Sequence, residues 1–240
     1  MRVAIFLVIA LAAFGQAPKR DLSGIWAPVN AIDGIAPNGA RNMPADGKPE
    51  HELPYTAAGR AALKKNHSSN GPDEVAAADE NDPAHVCDPQ GFPREILFEL
   101  RATHFVQTPL QTLMLYTYNK VWRNIWTDGR ALPKDPDPHW FGYSVGKWTD
   151  DNTFVVQTNG TDARTWVDNA GRPHSEDLKI EEVYHRLDQN TMELTMTLDD
   201  PTYYTKPWVA LNKMKLKLLP ATTEIPEMMC SPSELSLIHI

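Results

Sequence analysis

The chain has 240 residues and a formal charge of −8, with 31 acidic side chains against 23 Lys and Arg. Its basic residues are scattered without a stripe, which disfavours nucleic acid and anionic lipid surfaces as partners. The length and apolar content suit one domain with a substantial core.

Arg2 precedes an unbroken apolar stretch over residues 3–14, and Ala13 and Gly15 place small residues at −3 and −1 of a cleavage site before Gln16. This pattern predicts a signal peptide over residues 1–15. About 12 apolar residues are too few for a transmembrane helix, which needs about 20. Loss of Arg2 would bring the formal charge to −9. The expected location is periplasmic or secreted, without stable membrane insertion.

Asp21-Leu22-Ser23-Gly24-Ile25-Trp26 opens the domain with a small turn residue before an aromatic able to plug a barrel end. Residues 27–84 read as largely loop, rich in Pro, Gly, Asn and Asp. A short helix is expected near residues 56–65, with Thr56 as N-cap. From Pro93 the chain becomes a series of short runs rich in β-branched and aromatic residues. Strands are expected at 96–100, 103–108, 112–118 and 121–126. Two hairpins follow, over 142–158 and 180–198. Met192, Leu194, Met196 and Leu198 share one face of the last strand, and Met214, Leu216 and Leu218 alternate with lysines further on. The inferred fold is mainly β and antiparallel, a lipocalin-like barrel or strongly curved sheet with one or two short helices, over a single domain at residues 16–230. Closure would remove the exposed strand edges.

Cys87 and Cys230 are the two cysteines. In an oxidising compartment they most simply pair. The rival reading is a nucleophilic or metal-bound thiol, but His85-Val86-Cys87-Asp88 has no second ligand pair at zinc spacing, and no metal site is expected.

Several segments together resemble a family of exported bacterial proteins without an assigned activity. They are Asp21-Leu22-Ser23-Gly24-Ile25-Trp26, Cys87-Asp88-Pro89-Gln90-Gly91-Phe92-Pro93-Arg94, Arg123-Asn124-Ile125-Trp126-Thr127-Asp128-Gly129-Arg130 and Trp140-Phe141-Gly142-Tyr143-Ser144-Val145-Gly146-Lys147-Trp148. Thr165-Trp166-Val167-Asp168, His174-Ser175-Glu176 and Asp199-Asp200-Pro201 extend the resemblance over nearly all of the mature chain. It implies export and a β fold, and no particular reaction. Gly24-Ile25-Trp26 also resembles the Gly-x-Trp opening strand of lipocalin-like barrels. Leu132-Pro133 stands where the family has His-Pro, so no chemistry can rest on that His. Residues 231–240 depart from the family's usual end and are expected to be a non-native or disordered tail.

No Gly-x-Ser-x-Gly, phosphate-binding Gly loop, His-Glu-x-x-His or Cys-x-x-Cys occurs. Candidate chemistry therefore comes from clusters. Asp128 in an Asp-Gly turn is either a hairpin signal or a partner of Arg123 or Arg130 that orients a ligand. His174 with Asp128 or Glu176 could supply an acid–base pair, against the plainer alternative of a solvated loop His. Glu182, Tyr184 and Arg186 share one strand face, either as an outer salt-bridge ladder or as the polar lining of a cavity. Trp126, Trp140 and Trp166 stand beside polar loop residues, as in pockets for flat or sugar-like ligands. Two functions are expected in order. The first is binding of an apolar or aromatic small molecule through Arg123, Arg130, Trp126, Trp140, Trp166, Tyr184 and Arg186. The second is a cofactor-free lyase, isomerase or hydrolase using His174, Asp128 and Glu176. The oligomeric state is left open.

Overall fold

The computed structural model describes residues 19–29, 44–98 and 100–231. The expected signal peptide lies outside them, as does all but the first residue of the expected tail. Among the described residues, nine strands close into a barrel in sequence order. They are β1 (Gly24–Pro28), β2 (Thr103–Gln107), β3 (Gln111–Leu115), β4 (Trp122–Trp126), β5 (Tyr143–Trp148), β6 (Thr153–Asn159), β7 (Lys179–Arg186), β8 (Thr191–Asp199) and β9 (Trp208–Leu218).

The expected barrel is present, with one departure from a wholly antiparallel sheet. Nine strands alternating up and down would bring β1 and β9 together in parallel. The β1–β9 pair is antiparallel, so an odd number of other neighbours must be parallel, and that one is β4–β5. The seam is also thin, since only Ile125 with Ser144 and Trp126 with Val145 are in register. Residues 127–142 make the crossover that the parallel step demands.

Alternation sorts the wall. Met192, Leu194, Met196 and Leu198 of β8 are buried, as their period predicts. In β9, Met214 and Leu216 are buried and Lys213, Lys215 and Lys217 are exposed. The lumen is packed with Trp26, Phe105, Met114, Phe154, Tyr184 and their neighbours.

The expected strand at 96–100 is instead a single helical turn, α2 (Arg94–Leu97), with all four residues buried. A strand at a barrel rim would leave one face to water, but this segment is enclosed on every side. Its backbone groups are therefore satisfied within its own turn, with Leu97 N donating to Pro93 O at 3.1 Å. Arg94 forks onto Asp82 at 2.6 and 2.5 Å, which anchors the plug. The other helix, α1 (Ala57–Leu63), starts as expected, with Thr56 Oγ1 accepting from Gly59 N at 3.0 Å. A β-carbon at Gly59 would lie 2.1 Å from Tyr203 O, so glycine is what lets α1 lie against that backbone.

The two rims differ. One carries the short turns of 108–110, 149–152 and 188–190. The other carries the long excursions 44–102, 160–178 and 200–207. Residues 219–230 run back toward the long-loop rim, where Asn119 N donates to Met228 O at 2.6 Å and Cys87 is bonded to Cys230. This disulfide closes a span of 143 residues between Cα atoms 5.4 Å apart. On chain-entropy grounds Cys87→Ser is expected to cost about 5 kcal/mol. Urea denaturation of the oxidised protein and the variant measures it, and equal midpoints would refute it.

Candidate functional site

Three polar assemblies are positioned by this barrel: a network inside the lumen, a ring of hydrogen bonds in the β6–β7 loop, and a cleft on the long-loop rim.

Strand alternation settles the first. Trp122 and Asn124 point out, so Arg123 points in and is 1% exposed. Glu182, Tyr184 and Arg186 also take the inner face, and all three are buried. Arg123 Nη2 donates to Glu182 Oε2 at 2.5 Å and to Thr158 Oγ1 at 2.6 Å, while Nε donates to Ser144 Oγ at 3.0 Å. Tyr184 donates to Glu182 Oε1 at 2.6 Å. Burial opposes charge on Arg123, but its neighbours together, Glu182 foremost, raise the guanidinium above its ordinary value. Burial, reinforced by the Glu182 charge, pushes the Tyr184 hydroxyl well up, so it stays a proton donor. Phe92 lies flat against the guanidinium, 3.7 Å from ring centre to Cζ.

Within this network Nε and Nη2 of Arg123 are bonded, while its buried Nη1 has no hydrogen-bond partner among the described residues. A cavity beside the network, lined by Tyr116, Tyr184, Trp26 and the plug residues Ile96 and Leu100, has a volume of about 10 Å³. That is room for one water molecule. Arg123 and Tyr184 thus hold the wall together. Arg186 closes the opposite rim, donating to Asp21 O at 2.6 Å and Gln189 O at 2.5 Å beneath Trp26.

The expected acid–base pair is not assembled. Thr127 N donates to Leu110 O at 2.9 Å, which puts Asp128 beside the β2–β3 turn, whereas His174 sits in the β6–β7 loop at the other rim. Asp128 is gripped by the fork of Arg130 at 2.9 and 2.6 Å, and that bonding holds its carboxyl below the usual range, making it a weak base. Glu176 is exposed. His174 is 1% exposed, and both its ring nitrogens are engaged. Ser175 O, 3.1 Å from Nδ1, can only accept, so Nδ1 carries a proton, while Nε2 lies 2.8 Å from the Thr165 hydroxyl, which is itself 2.9 Å from Asp162 O. Burial lowers the His174 pKa from 6.5. Asp200, fully buried next to it, accepts from Ser175 N and Oγ, both at 2.7 Å.

The tryptophans carry arginines. Arg130 lies 3.6 Å over Trp126, Arg164 4.3 Å over Trp140, and Arg94 5.3 Å over Trp166. Trp166 is buried, so it is no wall of an open pocket. Thr161-Asp162-Ala163-Arg164 repeats the geometry of Thr127-Asp128-Gly129-Arg130, each Asp accepting from its Arg backbone N–H and guanidinium fork.

The cleft was not foreseen from the sequence. It has a volume of about 500 Å³ and lies between residues 44–73 and the β6–β7 loop, with Leu53, Tyr55 and Leu63 on its apolar side. The segment is docked by Thr56 N on Tyr203 O at 2.9 Å, Ser68 Oγ on Asn169 O at 2.6 Å and Asn66 Nδ2 on Gly171 O at 2.7 Å. Arg172, bonded to the fully buried Asp168 at 3.2 Å, stands at its base. Burial raises the Tyr55 hydroxyl pKa, with Arg172 opposing that shift. The one sequence signal here was the Thr56 cap. No residue of the expected ligand set lines the cleft.

Two expectations follow. Arg123→Met leaves Glu182 buried without its cation and should cost about 3–5 kcal/mol, and adding Glu182→Leu should recover much of that loss. Chemical denaturation of the single and double variants tests it; an undiminished loss in the double variant would count against the ion pair as the cause. For His174 the folded pKa is depressed, so the neutral form is favoured in the fold. As pH falls below about 6.5, the unfolded chain takes up a proton that the folded chain resists, and stability drops by at most about 1.4 kcal/mol per pH unit. His174→Gln should flatten the stability profile between about pH 6.5 and 5, and identical slopes for the two proteins would contradict this.

Compared with protein-family models, with curated proteins and with solved structures, the chain matches none.

Proposed function

We propose that the chain is an exported protein that binds a small molecule with an apolar or aromatic body in the rim cleft. The observation that carries this is the contrast in space: about 500 Å³ in the cleft against about 10 Å³ in the lumen. Clefts of some 300–1,000 Å³ are the usual size for small-molecule sites. The cleft is also held on a rigid frame, since its walls are bonded to loops that the barrel fixes at both ends. Export is supported by the Cys87–Cys230 bond, which suits an oxidising compartment, and by the apolar run after Arg2. No helix among the described residues is long and apolar enough to cross a membrane.

The enzymatic alternative loses the acid–base pair expected for it, with His174 engaged and Asp128 on the other rim. Ala170 lines the cleft and Tyr184 the lumen. In a ligand-observed NMR screen of ring-containing fragments, hits to the native protein should vanish in Ala170→Trp and persist in Tyr184→Phe. The reverse pattern would move the site into the lumen.

A further inference from the structure

Resting on that reading of the cleft, we infer that its ligand is a neutral ring compound bearing several hydroxyl groups. The inference comes from how the cleft's charges are already used. Arg60 Nη1 donates to Glu52 Oε1 at 2.6 Å. Asp46 is shared by His51 at 2.8 Å and Lys48 at 3.4 Å. Arg172 is bonded to Asp168. Beyond these pairs the lining contributes Lys64 and Asp73, one formal charge of each sign, and the imidazole of His67. The formal charges of cations and carboxylates therefore cancel around the opening.

A ligand carboxylate, phosphate or ammonium would meet no net opposite charge here, and any partner beyond the single exposed Lys64 or Asp73 would have to be drawn from an existing pair. A hydroxyl avoids that cost. It donates and accepts at once, so it can bridge a lysine or guanidinium donor and a carboxylate acceptor without separating them. The pairs present both kinds of group side by side. Glu52 keeps one oxygen beyond its bond to Arg60, and the Asn70 side-chain amide supplies another donor and acceptor. Behind this polar rim stand Leu53 and Leu63, and the Tyr55 ring is backed by Tyr204 at 5.1 Å. A ring with apolar faces and hydroxylated edges satisfies both surfaces. Saccharides and polyhydric phenols share that chemistry.

Four probes test it on the intact oxidised protein by isothermal titration and saturation-transfer NMR at pH 7: methyl glucoside, resorcinol, benzoate and benzylamine. At least one neutral hydroxylated probe should bind at least tenfold more tightly than either charged one. Binding by the glucoside identifies a saccharide source, and binding by resorcinol alone a phenolic one. The Glu52→Met/Arg60→Met double variant keeps the cleft neutral and apolar, and should weaken the neutral probe about tenfold with the circular dichroism spectrum unchanged. Benzoate or benzylamine binding as tightly as the neutral probes, or a neutral probe indifferent to the double variant, would overturn the hydroxylated class while leaving a binding cleft. Failure of all four probes to bind would remove the cleft reading itself.

Discussion

The parallel seam between β4 and β5 is the constraint around which the rest of the barrel is arranged. An odd strand count with an antiparallel β1–β9 closure requires such a step, and here the step has two residue pairs in register. Few backbone bonds hold a seam that thin, and Arg123 supplies the missing ties from inside. From β4 it reaches Ser144 on β5, Thr158 on β6 and Glu182 on β7. A single guanidinium therefore fastens four consecutive strands across the weakest join. Arginine suits this because its fork fixes several donors in one plane, whereas lysine offers a point charge. Its other requirement, a counter-charge in a dry interior, is met by Glu182, whose second oxygen is taken by Tyr184.

The same residue type recurs wherever an aromatic must be held at a loop. Arg130 on Trp126 and Arg164 on Trp140 are each locked by an aspartate two residues earlier, and Arg186 covers Trp26 at the short-turn rim. A guanidinium lying on an indole covers apolar surface that a loop cannot bury, and its bound carboxylate removes the cost of an unmatched charge. These stacks fasten the crossover and the β6–β7 loop, whose far side carries Arg172 and Asp168 at the base of the cleft.

Alternating hydrophobicity made the strands legible, because a barrel wall has one wet face and one dry one. β8 and β9 follow that period along most of their length. It failed at residues 94–97, where burial on every side erases the alternation and leaves helix and strand indistinguishable by pattern. The parallel step had no local signal at all, since it follows from how many strands close. The common face of Glu182, Tyr184 and Arg186 was plain, yet which face remained open in the sequence. Lys179 and Glu181 on the opposite phase, with Ile180 in register with the polar set, were the clue that the polar set points inward. The cleft was illegible for a different reason. Its lining comes from irregular polar segments whose shape is set by hydrogen bonds to loops about 100 or more residues away.

Filling the lumen with an ion pair has a consequence for where a ligand can sit. A buried pair adds little net stability over well-packed apolar residues, yet it tolerates no loss of either partner. A ligand entering the barrel would have to displace the Phe92 ring from Arg123 and the plug residues Ile96 and Leu100 from the cavity they line. It would enter a charged network in which Glu182 is already held by Arg123 and Tyr184. The rim imposes no such demand, because its outer pairs, Arg60 with Glu52 and His51 with Asp46, remain in contact with water. The barrel's interior is thereby committed to holding its own seam, and recognition is left to the loops that the seam keeps in place.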